Sequence, residues 1–136
     1  MSEQQTILQA RNVTVEFAAK GGKALKAVSD VNLDLRQGEV FGLVGESGSG
    51  KTTLGRALMR LVDLKAGTVL FDGDDISTLS RRDLRPFRRR VQVIFQDPFG
   101  SLNPRMNVYA ILHEALAVLD AGENADQRIS ELLDLV

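Results

Sequence analysis

The segment Gly45 to Thr52 carries the clearest chemical signal in the sequence. It reads GESGSGKT and satisfies G-x-x-x-x-G-K-[ST] in full. Glycines at positions 45, 48 and 50 let the backbone adopt positive φ and approach an anion without a Cβ clash. The N–H groups from Gly48 through Thr53 can then point inward, at the positive end of a helix that begins there. The segment therefore predicts a binding site for the phosphates of a nucleoside triphosphate.

Side chains of the same loop add charge and a metal ligand. Lys51 is expected to reach the β- and γ-phosphates, and the Thr52 hydroxyl is expected to ligate Mg²⁺. Ser47, Ser49 and Thr53 complete the predicted phosphate-binding set. A chance match to four fixed positions arises on the order of once in a few hundred chains of this length. The motif is therefore a specific one.

The loop needs a strand before it and a helix after it. Residues 40–44 form a nearly continuous apolar run, which is typical of a strand buried on both faces. Beyond the loop, apolar residues recur at helical spacing, namely Leu54, Ala57, Leu58 and Leu61. A second apolar run, Val91 to Phe95, predicts another buried strand. The sequence thus places the loop in a strand–loop–helix unit.

The flanking regions predict two different kinds of structure. Before the loop, Ile7 to Phe17 is β-prone, and Val31 to Leu35 alternates apolar and polar residues, which indicates a half-solvated antiparallel sheet. After the loop, Thr68 to Phe71 predicts a strand closed by an Asp72-Gly73 turn. The C-terminal third shows two helical stripes. One is Ile111, Leu112, Ala115, Leu116 and Leu119, and the other is Ile129, Leu132, Leu133 and Val136.

Composition excludes several classes of function. The chain has 136 residues and no cysteine, so a disulfide, a thiolate metal site and a cysteine nucleophile are excluded. The formal net charge of −1 gives no global attraction to nucleic acid. The basic run Arg81 to Arg90 contains only one aromatic residue and is interpreted as a solvated helix face. The N-terminus does not read as a secretory signal, and no window predicts a membrane-spanning helix.

Three strings occur in order: FGLVGESGSGKTTLGRALMRL, GTVLFDGDDI and VQVIFQDPFGSLNPRMNV. Together they resemble the ATPase subunit of an ABC transporter, in the branch that energises uptake of dipeptides, oligopeptides or nickel. The most specific piece is Phe95 to Pro98 followed by Ser101 to Met106. The resemblance implies an α/β fold: an N-terminal antiparallel β subdomain (1–38), a P-loop NTPase core (39–96) and the start of a helical subdomain (97–136), truncated relative to a whole cassette.

The resemblance assigns roles to two residues outside the phosphate loop. Gln96 matches the Q-loop glutamine, whose amide oxygen reaches Mg²⁺ or the attacking water and whose loop hinges towards the helical subdomain. Without the resemblance it would be only a polar residue of a loop. Phe17 matches the aromatic residue that stacks on adenine. An aromatic residue on a strand is also a common core residue, and that alternative stays open.

Elements that the family needs for hydrolysis are absent from this sequence. There is no LSGGQ signature, no Walker B strand with a catalytic glutamate and no switch histidine. Val69 to Asp72 and Leu116 to Asp120 imitate a Walker B strand, but the first ends in a turn and the second lies in a helical stripe. His113 is expected to be a solvated residue of a predicted helix, Val108 to Leu119. The chain is therefore interpreted as the N-terminal half of an ATPase, one that binds ATP with little turnover.

The resemblance also implies partners and a location. The cofactors are ATP and Mg²⁺, and the partners are permease subunits, a second ATPase subunit bound head to tail and, indirectly, a solute-binding protein, with no nucleic acid. The location is the cytoplasmic face of a bacterial or archaeal cytoplasmic membrane. Residues 97–106 are the expected coupling surface. Two alternatives remain: another P-loop enzyme, such as a nucleotide kinase with Asp72, Asp74 or Asp75 as its Mg²⁺ ligand, and a non-catalytic ATP-binding module.

Overall fold

The computed structural model describes residues 5–19, 22–97, 100–118 and 124–136. The chain divides into two compact units, Met1–Val91 and Gln92–Val136. Three residues used in the sequence interpretation, Pro98, Leu119 and Asp120, lie outside the described residues. Each unit is taken by itself below.

The first unit is built on a four-stranded antiparallel sheet with the strand order β2-β1-β3-β4. The long pair at its centre consists of β1, Thr6–Ala18, and β2, Ala24–Arg36. Strand β3, Ala66–Phe71, pairs with the other edge of β1, and the two-residue β4, Asp74–Asp75, follows it. The predicted N-terminal antiparallel sheet and the predicted Asp72-Gly73 turn are both confirmed.

One face of the sheet carries the core of this unit. Val13, Val15 and Val69 are fully buried there. Helix α1, Lys51–Leu58, contributes its buried residues Leu54 and Ala57 to the same core. These positions follow the alternation of the strands and the period of the helix. The hydrophobic pattern therefore positions α1, whose first residue belongs to the phosphate loop.

Helix α2, Arg85–Arg90, covers β3 through aromatic contacts. Phe87 is buried and meets the ring of Phe71 edge to face, with centroids 5.0 Å apart. The guanidinium carbon of Arg90 lies 4.7 Å from the centroid of the Phe71 ring. Nη2 of the same side chain donates a hydrogen bond of 2.9 Å to Asp72. The arginine run thus has a structural role at its end and remains largely exposed elsewhere.

Helix α1 is shorter than its apolar spacing predicts. Arg60 adopts the left-handed conformation, with φ of 51°, and ends the helix. The N–H of Leu61 donates to Arg56 O at 2.8 Å and that of Arg60 donates to Ala57 O at 3.0 Å, which is the hydrogen-bond pattern of a Schellman motif. Because the Arg60 guanidinium donates to Ile76 O and Val62 O, the strained residue is held in place. Leu61, predicted as part of the helical stripe, lies beyond it.

The second unit is helical, as predicted. Helix α3, Val108–Val118, buries Leu116, and helix α4, Ala125–Asp134, buries Ile129. The two helices are joined by a hydrogen bond of 2.5 Å from the Tyr109 hydroxyl to Asp126 Oδ1, which raises the pKa of Tyr109. His113 stacks on Tyr109 and is exposed, in agreement with the prediction of a solvated histidine.

The two predicted core strands are not strands in this structure. Residues 40–44 and 91–95 have extended or irregular backbone without a ladder partner among the described residues. Val40, Val44 and Ile94 expose 98%, 94% and 95% of their surface. The prediction was wrong because an apolar run indicates only that a segment favours burial. A strand forms when a neighbouring backbone pairs with it.

Two glycines with the same backbone conformation provide a test of the packing of β3 against β1. Gly67 has φ of +93°, and an added Cβ would lie 2.4 Å from Asn12 O, whereas Gly73 has φ of +89° and open space around it. In both variants an alanine must adopt the left-handed backbone conformation, which lowers the free energy of unfolding by about 1–2 kcal/mol. We expect Gly67→Ala to lower the free energy of unfolding by a further ~1–3 kcal/mol, because β1 must move. Urea denaturation of both variants measures the difference, and equal midpoints would contradict the packing described here.

Candidate functional site: the phosphate loop and its cavity

The phosphate loop adopts the backbone that its glycines permit. Gly48 and Gly50 have φ of +79° and +91°, and Gly50 is the N-cap of α1. The first helical hydrogen bond runs from the N–H of Leu54 to Gly50 O, at 2.8 Å. Gly45 differs from the prediction, because its φ is not positive. Its missing Cβ instead leaves room for Ser49, whose Oγ would lie 2.9 Å from that atom.

The backbone N–H groups of the loop are available to an acceptor. Those of Gly48 and of Lys51 through Thr53 donate to no other residue in the part of the chain that the structure describes. Ser49 differs, since its N–H donates to Glu46 O at 3.3 Å. Unpaired N–H groups at the N-terminus of a helix favour an anion through both hydrogen bonding and the helix dipole. The geometry therefore fits a phosphate group.

Lys51 folds back over its own loop. Its Nζ donates to Gly45 O at 2.8 Å, to Ser49 Oγ at 3.2 Å and to Glu46 O. These bonds hold the two ends of the loop together. The ammonium group therefore adds positive charge to the loop.

A close contact fixes the loop against the sheet. Between the pairs Val15–Val28 and Glu16–Lys26, strand β2 has one residue more than β1, and that residue is Ala27. Such a bulge bends the strand and turns its carbonyl groups. A Cβ on Gly50 would lie 2.3 Å from Ala27 O. Only glycine therefore fits at the N-cap, for steric reasons as well as for its positive φ.

A cavity of about 500 Å³ lies between the sheet and the loop. Its volume is in the range of small-molecule sites. One wall is formed by Phe17, Leu25, Lys26 and Ala27, and the other by residues 48–53. Phe17 and Leu25 are cross-strand neighbours, and 42% of Phe17 is exposed. The structure thus brings Phe17 together with Gly48, Ser49, Gly50, Lys51, Thr52 and Thr53, whereas Gly45 and Ser47 are not part of the lining.

Three residues of this lining were missed by sequence reasoning. Leu25, Lys26 and Ala27 belong to no motif, and only the pairing of β2 with β1 places them beside Phe17. The register of the β1–β2 pairing would have identified these residues. The alternation of the sequence does not give that register, because the bulge at Ala27 shifts it by one residue.

The predicted metal ligands lie in different units. Thr52 lines the cavity and its hydroxyl makes no hydrogen bond within the described residues, so it can serve as a ligand. Gln96 is an exposed residue of the second unit. Among the residues that the structure describes, no three His, Asp or Glu side chains converge on a point that could hold a metal ion.

The carboxylates proposed for a nucleotide kinase are engaged elsewhere or lie outside the cavity. Asp72 accepts hydrogen bonds from Arg90 and, at 3.2 Å, from Gln5 Nε2. Asp75 accepts from the N–H of Ser77 at 2.8 Å, and hydrogen bonds from Ser77 lower the pKa of this carboxyl. Neither residue nor Asp74 lines the cavity. These contacts are structural and do not favour a kinase.

The described helices are all too short or too polar to cross a lipid bilayer.

Comparison with known proteins identifies the family. Residues 28–136 match the sequence model of the ABC transporter family. A protein of Brucella ovis that is named as a peptide import ATP-binding protein is 47% identical to this chain over 121 residues. The match covers 89% of this chain and 38% of that protein. An oligopeptide transport ATP-binding protein of Streptococcus mutans is 44% identical over 133 residues, covering 96% of this chain and 43% of that protein.

Solved structures agree with the fold. A dimeric ATP-binding cassette in a post-hydrolysis state with ADP and Pi superposes with a TM-score of 0.77 at 26% identity. The match covers 94% of this chain and 56% of that one. A dimeric bacterial ABC transporter cassette gives a TM-score of 0.76 over the same shares. The α/β cassette fold predicted from the sequence is thereby confirmed.

The chain spans about two fifths of the length of the curated relatives it matches, 38% and 43% in the two named above. Within that span it carries a complete phosphate loop. The family model covers most of the chain, and the relatives align with nearly all of it. The chain therefore belongs to the ABC transporter family, and it corresponds to the N-terminal part of the ATP-binding subunit.

Proposed function

We propose that this chain holds ATP in the cavity between the sheet and the phosphate loop. The observation that carries the proposal is the set of N–H groups at residues 48 and 51–53 that are unpaired within the described chain, since these residues line the same cavity as Phe17. Phosphate oxygens would accept from these groups and from Lys51. The adenine ring would stack on the exposed face of Phe17. The base and the phosphates are thus bound by two different walls.

Thr52 is proposed as a ligand of the Mg²⁺ that accompanies ATP, because its hydroxyl offers an oxygen atom, which Mg²⁺ prefers. For Gln96 we propose the role that the resemblance implies, an amide oxygen that reaches Mg²⁺ or the attacking water. The bound metal would supply charge that neutralises the phosphate oxygens. The contribution of this chain is to hold the triphosphate and to keep a hydroxyl and an amide available.

We further propose that the full-length protein drives import of peptides or of a related small solute. The two relatives are named for peptide import and for oligopeptide transport. The peptide-uptake branch is also the one that the Gln96 to Met106 segment resembles. Permease subunits, a second ATPase subunit and, indirectly, a solute-binding protein would be the partners, at the cytoplasmic face of the membrane. The proposed division is a β subdomain at 1–38, a P-loop core at 39–96 and a coupling and helical part at 97–136.

We expect ATP binding by this chain to exceed its ATP turnover by far. The sequence contains no LSGGQ signature, no Walker B glutamate and no switch histidine. An ATP-binding module without catalysis is therefore the second candidate for the chain in isolation. Measured turnover separates it from an active ATPase.

Replacing the loop lysine tests the proposed ATP site. Lys51→Ala removes charge-assisted hydrogen bonds worth about 1.5–3 kcal/mol, so we expect ATP affinity to fall roughly ten- to a hundredfold. Isothermal titration calorimetry measures the affinity. Lys65→Ala is the matched control, because Lys65 is exposed and outside the cavity lining. Equal affinity in the wild type and in Lys51→Ala would refute the site.

Replacing Gln96 tests the proposed coupling role. In the full-length protein, we expect Gln96→Ala to reduce peptide import at least tenfold while ATP affinity changes less than about threefold, because phosphate contacts come mainly from the loop. Import into proteoliposomes and nucleotide titration provide the two measurements. Gln127→Ala, an exposed change on α4, is the control. Parallel loss of import and of ATP affinity would count against a hinge at Gln96.

A further inference from the structure

We infer that Leu25 is a second base-contacting residue of the cavity and that, together with Phe17, it makes the site prefer a purine to a pyrimidine. This inference rests on the proposed ATP site and concerns the end of it that binds the base. Leu25 lies on β2 and lines the cavity, but it belongs to no sequence motif. Three observations support this role: the sheet face that carries the side chain, its exposure, and the width of the apolar surface that it forms with Phe17.

The side chains of Phe17 and Leu25 lie on one face of the sheet, which is the face that the phosphate loop contacts. The two residues are cross-strand partners, and directly paired residues project to the same side of a sheet. Phe17 follows the fully buried Val15 by two positions on β1 and therefore shares its face. The Cγ2 methyl of Val28, the partner of Val15, lies 3.8 Å from the position of a Cβ on Gly50. The pair thus projects to the loop side of the sheet.

Both side chains are exposed although both are apolar. Phe17 exposes 42% of its surface and Leu25 exposes 60%, whereas Val15 and Val28, the neighbouring pair on the same face, are buried. The core of the unit therefore ends before this pair, and the cavity begins at it. Apolar surface that lines a cavity gains free energy when an apolar group of a ligand removes it from water.

The pair and the phosphate loop suit chemically different parts of a nucleotide. Neither Phe17 nor Leu25 carries a hydrogen-bonding group in its side chain, so contact with a base depends on stacking and dispersion. The N–H groups of residues 48 and 51–53 instead suit oxygen atoms that carry negative charge. The apolar pair is therefore the part of the lining that a base would cover.

Two neighbouring side chains form a wider apolar surface than one aromatic ring. Directly opposed residues of an antiparallel pair have Cβ atoms about 4.5–5.5 Å apart, so Leu25 lies beside the Phe17 ring. A purine has two fused rings and can cover both side chains at once, whereas the single ring of a pyrimidine covers only one of them. Leu25 therefore adds affinity for a purine that a pyrimidine does not gain, which makes it a specificity-determining residue.

The test measures the affinities of ATP, UTP and inorganic tripolyphosphate for the whole chain by isothermal titration calorimetry. We expect Leu25→Ala to weaken ATP binding about three- to tenfold, because alanine removes three carbon atoms from a partly covered apolar contact. UTP binding should weaken less than about twofold, because a single ring loses little of that contact. Tripolyphosphate has no base, so its affinity should not change.

Two further variants serve as controls. Leu25→Met keeps an apolar side chain of similar volume and should retain the ATP affinity, which shows that the apolar contact matters. Leu61→Ala makes the same change as Leu25→Ala in the same unit, at a residue that is 47% exposed and lies outside the cavity lining. All three affinities should be unchanged in Leu61→Ala.

Several results would overturn the inference. An equal loss of ATP and UTP affinity in Leu25→Ala would show that this residue does not distinguish the two sizes of base. A loss that extends to tripolyphosphate would show that the substitution alters the phosphate loop. ATP binding that Lys51→Ala weakens and Leu25→Ala leaves unchanged would keep the ATP site and remove Leu25 from it. Absence of ATP binding by the wild type would instead reject the proposed function, and the inference with it.

Discussion

The contact between Gly50 and the carbonyl group of Ala27 is the constraint on which the site depends. A Cβ at Gly50 would lie 2.3 Å from that oxygen. Because α1 begins at the next residue, this contact fixes where the N-terminus of the helix meets the sheet. The sheet carries Phe17 and Leu25, and the loop carries the N–H groups. A single glycine thus determines the distance between the two walls of the cavity.

Local chemistry explains what could be predicted from the sequence. The phosphate loop was predicted from residue types whose backbone demands are strict, and Gly48 and Gly50 have the positive φ that those demands imply. Strands β1 and β3 and helices α3 and α4 follow from apolar periodicity. In contrast, Leu25 and Lys26 depend on a bulge, and a period-two pattern does not show where an extra residue is inserted.

The errors have a common physical cause. Residues 40–44 and 91–95 are apolar enough for a buried strand, yet the structure leaves Val40 and Ile94 almost fully exposed. Hydrophobicity determines the free energy that a segment would gain by burial. The hydrogen bonds of a strand come from a neighbouring backbone, which the local sequence does not contain. Gly45 is a similar case, since its role depends on Ser49 and not on its own φ.

Lys51 and the backbone contribute to anion binding in different ways. The ammonium group already donates to Gly45 O, Glu46 O and Ser49 Oγ, so a phosphate must replace hydrogen bonds that exist. The N–H groups of Thr52 and Thr53 have no such partner within the described residues, so a phosphate there replaces only bonds to water. Since only the difference between old and new bonds stabilises a complex, the backbone should provide the selectivity for an anion. The lysine then adds charge to a site that the glycines have already shaped.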